Sequence, residues 1–118
     1  MLRWTAWLPI AFYVGAVVLL TATVPPHAPF GLSDKTVHAA EFFGLALLTV
    51  RGFSLQFESP PRLPVAIATL MLGIAVGSAD ELAQSFAPLR TSDFADLSAD
   101  ALGSVFGALV GVLFFLRT

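Results

Sequence analysis

Three short segments hold most of the residues in this chain that could do chemistry. The first is Asp34-Lys35-x-x-His38-x-x-Glu41. On a helix, Asp34, His38 and Glu41 fall at i, i+4 and i+7 and share one face. The second, Asp80-Glu81-x-x-Gln84, sets two adjacent acids about 100° apart around a helix, so that each reaches a different neighbour. The third is Arg90-x-x-Asp93-x-x-Asp96-x-x-x-Asp100, whose three acids again line one face. That stripe continues into Gly103, Gly107 and Gly111, a small-residue ridge that lets a neighbouring backbone come close. Glu41, Asp80 and Asp100 each sit about seven residues from a helix end, a depth of roughly 10 Å at about 1.5 Å per residue.

Carboxylates converging with an imidazole support two kinds of chemistry: general acid–base transfer and the binding of a divalent cation. An added Arg or Lys recognises phosphate or carboxylate. The candidate catalytic residues are His38, Asp80, Glu81 and Asp93, and the candidate metal ligands are His38, Glu41, Asp80, Glu81 and Asp100. A divalent cation is the cofactor such a set would hold. The wider ligand-binding set is Asp34, Lys35, His38, Glu41, Asp80, Glu81, Gln84, Arg90, Asp93, Asp96 and Asp100, with Arg90 as anion clamp and Gln84 as an orienting partner. Ser78, Ser85 and Ser92 lack a clear partnered base, so water is the favoured nucleophile. Plainer roles compete. Asp34, Ser92 and Asp93 suit helix N-caps, Lys35 suits an interfacial position, and His27 sits in a Pro-rich loop. Capping does not account for Asp80, Glu81 or Asp100, which fall inside helices.

The elements that must position these residues follow from composition. Of 118 residues, 57% are hydrophobic and only 12% charged, about half the soluble-protein norm of roughly 25%. A soluble domain this short cannot cover its surface with so few charges. The chain therefore reads as an all-α, four-transmembrane-helix bundle forming a single domain over 1–118. Its spans are expected near 4–24, 34–51, 64–86 and 93–116. Pro25, Pro26 and Pro29 end the first span, and a polar connection runs from Gly52 to Pro64. A cleaved signal peptide competes for the first run, but about 21 residues exceeds the usual apolar core of roughly 7–15. The chain has no cysteine, and its net charge of −2 argues against a nucleic-acid partner. Arg3, Arg51, Arg62 and Arg117 would lie on one side of the membrane, and Lys35 and Arg90 on the other. The excess of bases makes the first side, with both termini, cytoplasmic. Seven of the eight acids then belong to the outward half, which implies an acidic polar pocket open to the outer face.

In order and spacing, these motifs resemble the VanZ-like family of small bacterial membrane proteins. The match runs through Ser33-Asp34-Lys35-x-x-His38-x-x-Glu41-Phe42, Asp80-Glu81-x-x-Gln84, Arg90-x-x-Asp93-x-x-Asp96 and Asp100-x-x-Gly103-x-x-x-Gly107, spanning residues 33 to 111. Two positions depart from the family pattern: Leu89 stands where a Gly is expected, and Asp100 where Asn is frequent. The resemblance implies a multi-pass protein of the bacterial inner membrane, with a link to teicoplanin-type glycopeptide resistance. Some relatives carry an acyl or butyryl phosphotransferase label, yet this chain has no P-loop and no GxGxxG.

Three functions are consistent with this reading. The first is an outward pocket binding a cell-envelope lipid, a lipid-linked cell-wall intermediate or a glycopeptide. The second is an intramembrane enzyme acting on a lipid phosphate through carboxylate, His or divalent-metal catalysis. The third is a proton- or cation-coupled transporter, which four spans without an internal repeat would support only as a homo-oligomer.

Overall fold

The computed structural model describes residues 1–23, 34–86 and 94–116. Among these the chain forms four helices and no strand: α1 (Trp4–Thr23), α2 (Asp34–Gln56), α3 (Arg62–Phe86) and α4 (Phe94–Phe115). At about 1.5 Å per residue, the 25 residues of α3 extend roughly 37 Å, more than the bilayer's hydrocarbon core of about 30 Å. Contacts between helix ends set the directions. Arg3 at the start of α1 donates to the Leu55 carbonyl at the end of α2 at 2.8 Å. Arg62 at the start of α3 donates to the Leu116 carbonyl beyond α4 at 2.9 Å. The starts of α2 and α4 meet through His38 and Asp100. Thus α2 and α4 run parallel to each other and antiparallel to α1 and α3. One end of the bundle carries the bases Arg3, Arg51 and Arg62; the other carries the acids of α2, α3 and α4.

Three helices are long and apolar enough to cross a membrane, within Trp4–Thr21, Arg62–Phe86 and Ala95–Phe115. The helix outside that set is α2, which carries Asp34, Lys35, Glu41 and Arg51. Its position explains its composition. Large exposed hydrophobics stud α1, α3 and α4, including Phe12, Leu19, Met71, Leu82, Phe106 and Leu113, whereas α2 exposes none. The other three helices all pack on α2. Lipid-facing helices need apolar surfaces; a central helix carries polar groups because its neighbours cover them.

The closest packing is between α2 and α4. Gly103, Gly107 and Gly111 of α4 lie against Ala39, Phe43 with Ala46, and Val50 of α2. Matched small-residue spacing lets the backbones approach so closely that a Cβ at Gly107 would sit 2.5 Å from the Phe43 carbonyl oxygen. A core of Ile10, Val17, Phe42, Leu45 and Val76 joins α1, α2 and α3, and a second of Val50, Val65 and Leu116 closes the basic end.

The connection between α2 and α3 is shorter than its composition predicts. Helix α2 continues past Arg51 to Gln56, and α3 begins at Arg62 rather than Pro64. Gly52 does not break α2, because it is buried against the Ala6 carbonyl and Ile10 of α1. Gln56 then ties the helix end to α1, accepting from the Arg3 backbone N–H at 2.8 Å and from Trp7 Nε1 at 2.9 Å. Pro64 falls in the first turn of α3, where its missing N–H has no intrahelical acceptor to lose. Ser59, at φ 49°, turns the chain between the two.

Candidate functional site

At the acidic end, His38 is the hub. It lies one turn into α2 and is buried by α3 and α4 at 2% exposure. Its Nδ1 is 2.9 Å from Asp100 Oδ1. Its Nε2 lies 3.7 Å from Asp34 Oδ2 and 3.8 Å from Asp96 Oδ2. The i, i+4 spacing of Asp34 and His38 and that of Asp96 and Asp100 therefore mesh across the α2–α4 seam. Lys35 crosses the same seam higher up, its ammonium paired with Asp96 Oδ1.

Helix α3 completes the cluster with Asp80, which is fully buried. Gln84, one turn on, donates to Asp80 Oδ2 at 3.3 Å. Asp80 Oδ1 and Asp100 Oδ2 are buried without a hydrogen-bond partner among the described residues. Such orphaned acceptors are rare in folded proteins, and each costs about 1–3 kcal/mol or more. Gly77, one turn before Asp80, makes room for the Asp100 carboxylate: a Cβ there would lie 3.0 Å from Asp100 Oδ2. Two sets of groups could hold a metal ion, Asp34 with His38 and Asp96, and His38 with Asp80 and Asp100. In each, one ligand atom per residue lies within 4.8 Å of the others.

The expected residues are not all brought together. Asp34, Lys35, His38, Asp80, Gln84, Asp96 and Asp100 converge. Glu41, half-buried, lies within electrostatic reach of His38, Asp80 and Asp100 but in neither metal-competent set. Glu81 is buried at 8% exposure and likewise belongs to neither set. Arg90 and Asp93 lie outside the described residues, as do His27, Ser33, Leu89 and Ser92. Ser78 and Ser85 are exposed on α3, and the Ser85 hydroxyl donates to the Leu82 carbonyl. The deep part of the cluster is covered rather than open as a funnel wall: His38, Asp80, Asp96 and Asp100 are all at 3% exposure or less.

Some neighbours had no signal in the motifs. Thr21 of α1 lies beside Asp80, with its hydroxyl given to the Val17 carbonyl at 2.7 Å. Tyr13 of α1 donates to the Glu41 carbonyl at 2.6 Å, over Gly44. Ser104 packs on Gly73 of α3 and donates to the Asp100 carbonyl at 2.9 Å. A Ser or Thr hydroxyl on an apolar helix satisfies itself on the preceding turn, so its sequence position does not reveal what lies beside it. On the outer side of the α2–α4 seam runs an apolar groove of about 630 Å³. Its α2 wall runs from Thr36 to Phe43 and its α4 wall from Leu102 to Val110.

Comparison with known proteins places the chain in a family. A model of the family described as VanZ/LLP1 matches residues 5–115. A Schizosaccharomyces pombe protein, described only as uncharacterized, is 32% identical over 92 residues, or 78% of this chain and 54% of its own length. The chain thus spans about half of that relative. No solved structure matches the chain.

Proposed function

Because the chain belongs to the VanZ/LLP1 family, we propose that it is a multi-pass membrane protein that captures the polar head of a membrane lipid at the rim of the α2–α3–α4 cluster, where Lys35 and Asp34 are partly exposed. The observation that carries this reading is the buried set of His38, Asp80, Asp96 and Asp100 at one end of an otherwise apolar bundle. Ionisable side chains inside membrane helices are costly and mark functional sites. Lys35, partly exposed above the cluster, offers an ammonium to a phosphate head. The groove beginning at Thr36 is shaped for an acyl chain. In this reading α2 spans the membrane with the other three helices. The end bearing Arg3, Arg51 and Arg62 faces the cytoplasm, and the acid end faces outward.

In a bacterial inner membrane the ligand would be an envelope phospholipid or a lipid-linked wall intermediate, and capture of either, or of an amine-bearing glycopeptide, would connect the site to teicoplanin-type resistance. The fission-yeast relative favours a ligand present in membranes generally. Native mass spectrometry of detergent-purified protein tests the reading. Wild type should retain a phospholipid mass that is lost in Lys35→Met and in Ala40→Trp, which fills the groove. Bare polypeptide in wild type, or equal retention in both variants, refutes it.

One observation favours a second reading, an enzyme acting on the lipid phosphate. The 2.9 Å His38–Asp100 pair is the arrangement of an acid–base group held by a carboxylate. Ser78 and Ser85 are exposed on α3, so water is the nucleophile in this reading. Phosphate release from phosphatidic acid vesicles, abolished by His38→Gln, would establish turnover. Lipid retention without release would leave capture alone.

A further inference from the structure

We infer that His38, Asp80 and Asp100 form a binding site for a divalent transition-metal ion, with Zn²⁺ or Mn²⁺ as the class of ion. The inference goes beyond lipid capture and does not depend on it.

Four observations converge. One ligand atom from each of the three side chains lies within 4.8 Å of the others. Bonds of about 2.0–2.2 Å to such an ion need ligand atoms some 3–4 Å apart, a difference that side-chain shifts of well under 1 Å can close. All three side chains are buried, at 2%, 0% and 0% exposure, so they are held by packing rather than by solvent.

The second observation is the pair of orphaned acceptors. Asp100 Oδ1 meets His38 Nδ1, and Asp80 Oδ2 accepts from Gln84. That leaves Asp100 Oδ2 and Asp80 Oδ1 buried without partners among the described residues. Asp100 Oδ2 points at Gly77, on the turn of α3 that precedes Asp80, where an added Cβ would lie 3.0 Å away and crowd it. A cation between α3 and α4 would take up both orphaned oxygens, and in binding Nδ1 it replaces the proton through which His38 now meets Asp100 Oδ1.

The third is charge. Among the described residues, Asp34, Glu41, Asp80, Asp96 and Asp100 surround His38, and the bases that face them are His38 itself and Lys35. A dication held by two aspartates is locally neutral, and buried charge survives only when paired or metal-bound. The fourth is orientation. Metal-bound histidines donate their second ring N–H to a carboxylate, and here Nε2 faces Asp34 and Asp96 at 3.7 and 3.8 Å. The reverse arrangement, with the ion on Asp34 and Asp96, is weaker. The Lys35 ammonium already occupies Asp96, and the Asp34 side chain is 37% exposed. One imidazole nitrogen with two carboxylates suits Zn²⁺ or Mn²⁺ better than an all-oxygen Ca²⁺ or Mg²⁺ site.

The test uses chelator-treated full-length protein in detergent, titrated with Zn²⁺ or Mn²⁺ alone. Wild type and Glu58→Gln, which removes an exposed acid at the opposite end, should bind one ion per chain with matching affinity. Asp80→Asn and Asp100→Asn should bind at least 100-fold more weakly. Absence of stoichiometric binding by wild type overturns the inference, as does unchanged affinity in both aspartate variants. Should either variant fail to fold, the wild-type ligand set is read directly. In His27→Gln protein labelled with ¹⁵N-histidine, the ion should shift the single remaining imidazole at Nδ1 while Nε2 keeps its proton. Coordination at Nε2 moves the ion to Asp34 and Asp96 and refutes this site. Lipid masses followed in the same preparations report separately on the lipid reading.

Discussion

Gly103→Ala tests the α2–α4 seam on which the candidate site is built. A Cβ added there would overlap the Ala39 carbonyl oxygen and lie 2.9 Å and 3.0 Å from the Ala39 carbonyl carbon and Cα. These are backbone atoms inside α2, so no rotamer relieves the contact and the helices must move apart. Overpacking of this kind costs about 1–3 kcal/mol, and the upper end applies where backbone meets Cβ. The better helix propensity of alanine returns about 1 kcal/mol. The net loss is about 1–2 kcal/mol, a factor of roughly 5–30 in the folded-to-unfolded ratio. The same geometry ranks the other ridge positions. At Gly107 a Cβ would lie 2.5 Å from the Phe43 carbonyl oxygen and 2.6 Å from the Ala46 Cβ; at Gly111 it meets the Val50 side chain at 3.0 Å. The damage should therefore fall in the order Gly103, Gly107, Gly111. Gly15 of α1 has nothing within 4 Å of an added Cβ, so Gly15→Ala should be neutral or stabilising. Reversible unfolding in mixed micelles measures all four. A Gly103→Ala protein as stable as Gly15→Ala, or a reversed order along the ridge, would refute the close-packed seam.

Phe42→Ala, at the centre of the α1–α2–α3 core with 1% exposure, should cost about 3 kcal/mol in the same assay. That is the low end of the 3–5 kcal/mol range, because the lost side chain leaves for an apolar medium rather than water. Tyr13→Phe removes the 2.6 Å bond to the Glu41 carbonyl and should cost about 0.5–1.5 kcal/mol, with little change in lipid retention. His38→Gln strips Asp100 Oδ1 of its imidazole partner while Oδ2 is already orphaned. Breaking a buried pair in this way costs about 3–5 kcal/mol, so thermal unfolding of this variant should begin well below that of wild type.

Much of this architecture is legible in the sequence. Low charge and long apolar runs require helices in an apolar medium, and prolines with polar caps mark where the helices start and stop. Periodicity alone puts Asp34 with His38, and Asp96 with Asp100, on shared faces. The glycine spacing on α4 announces a close neighbour. The resemblance read from the sequence rests on the same order of motifs, and the VanZ/LLP1 model matches residues 5–115.

Other features come only from the assembled bundle. Periodicity says which residues share a face, not which helix that face meets. Asp80 and Glu81 are adjacent acids of similar type, yet Asp80 joins His38 and Asp100 while Glu81 belongs to neither metal-competent set. The choice follows from the rotation of α3, set where Gly73 meets Ser104 and Gly77 meets Asp100. The end of α2 runs past Gly52 because α1 packs on it and Gln56 binds Trp7 and Arg3, contacts some 50 residues apart in the chain. The central place of α2 is likewise a property of the assembly. Its charges make it the least membrane-like helix by composition, and it is tolerated because the other three surround it. Local sequence determines what each helix can bury; only the packing of all four decides which charges meet.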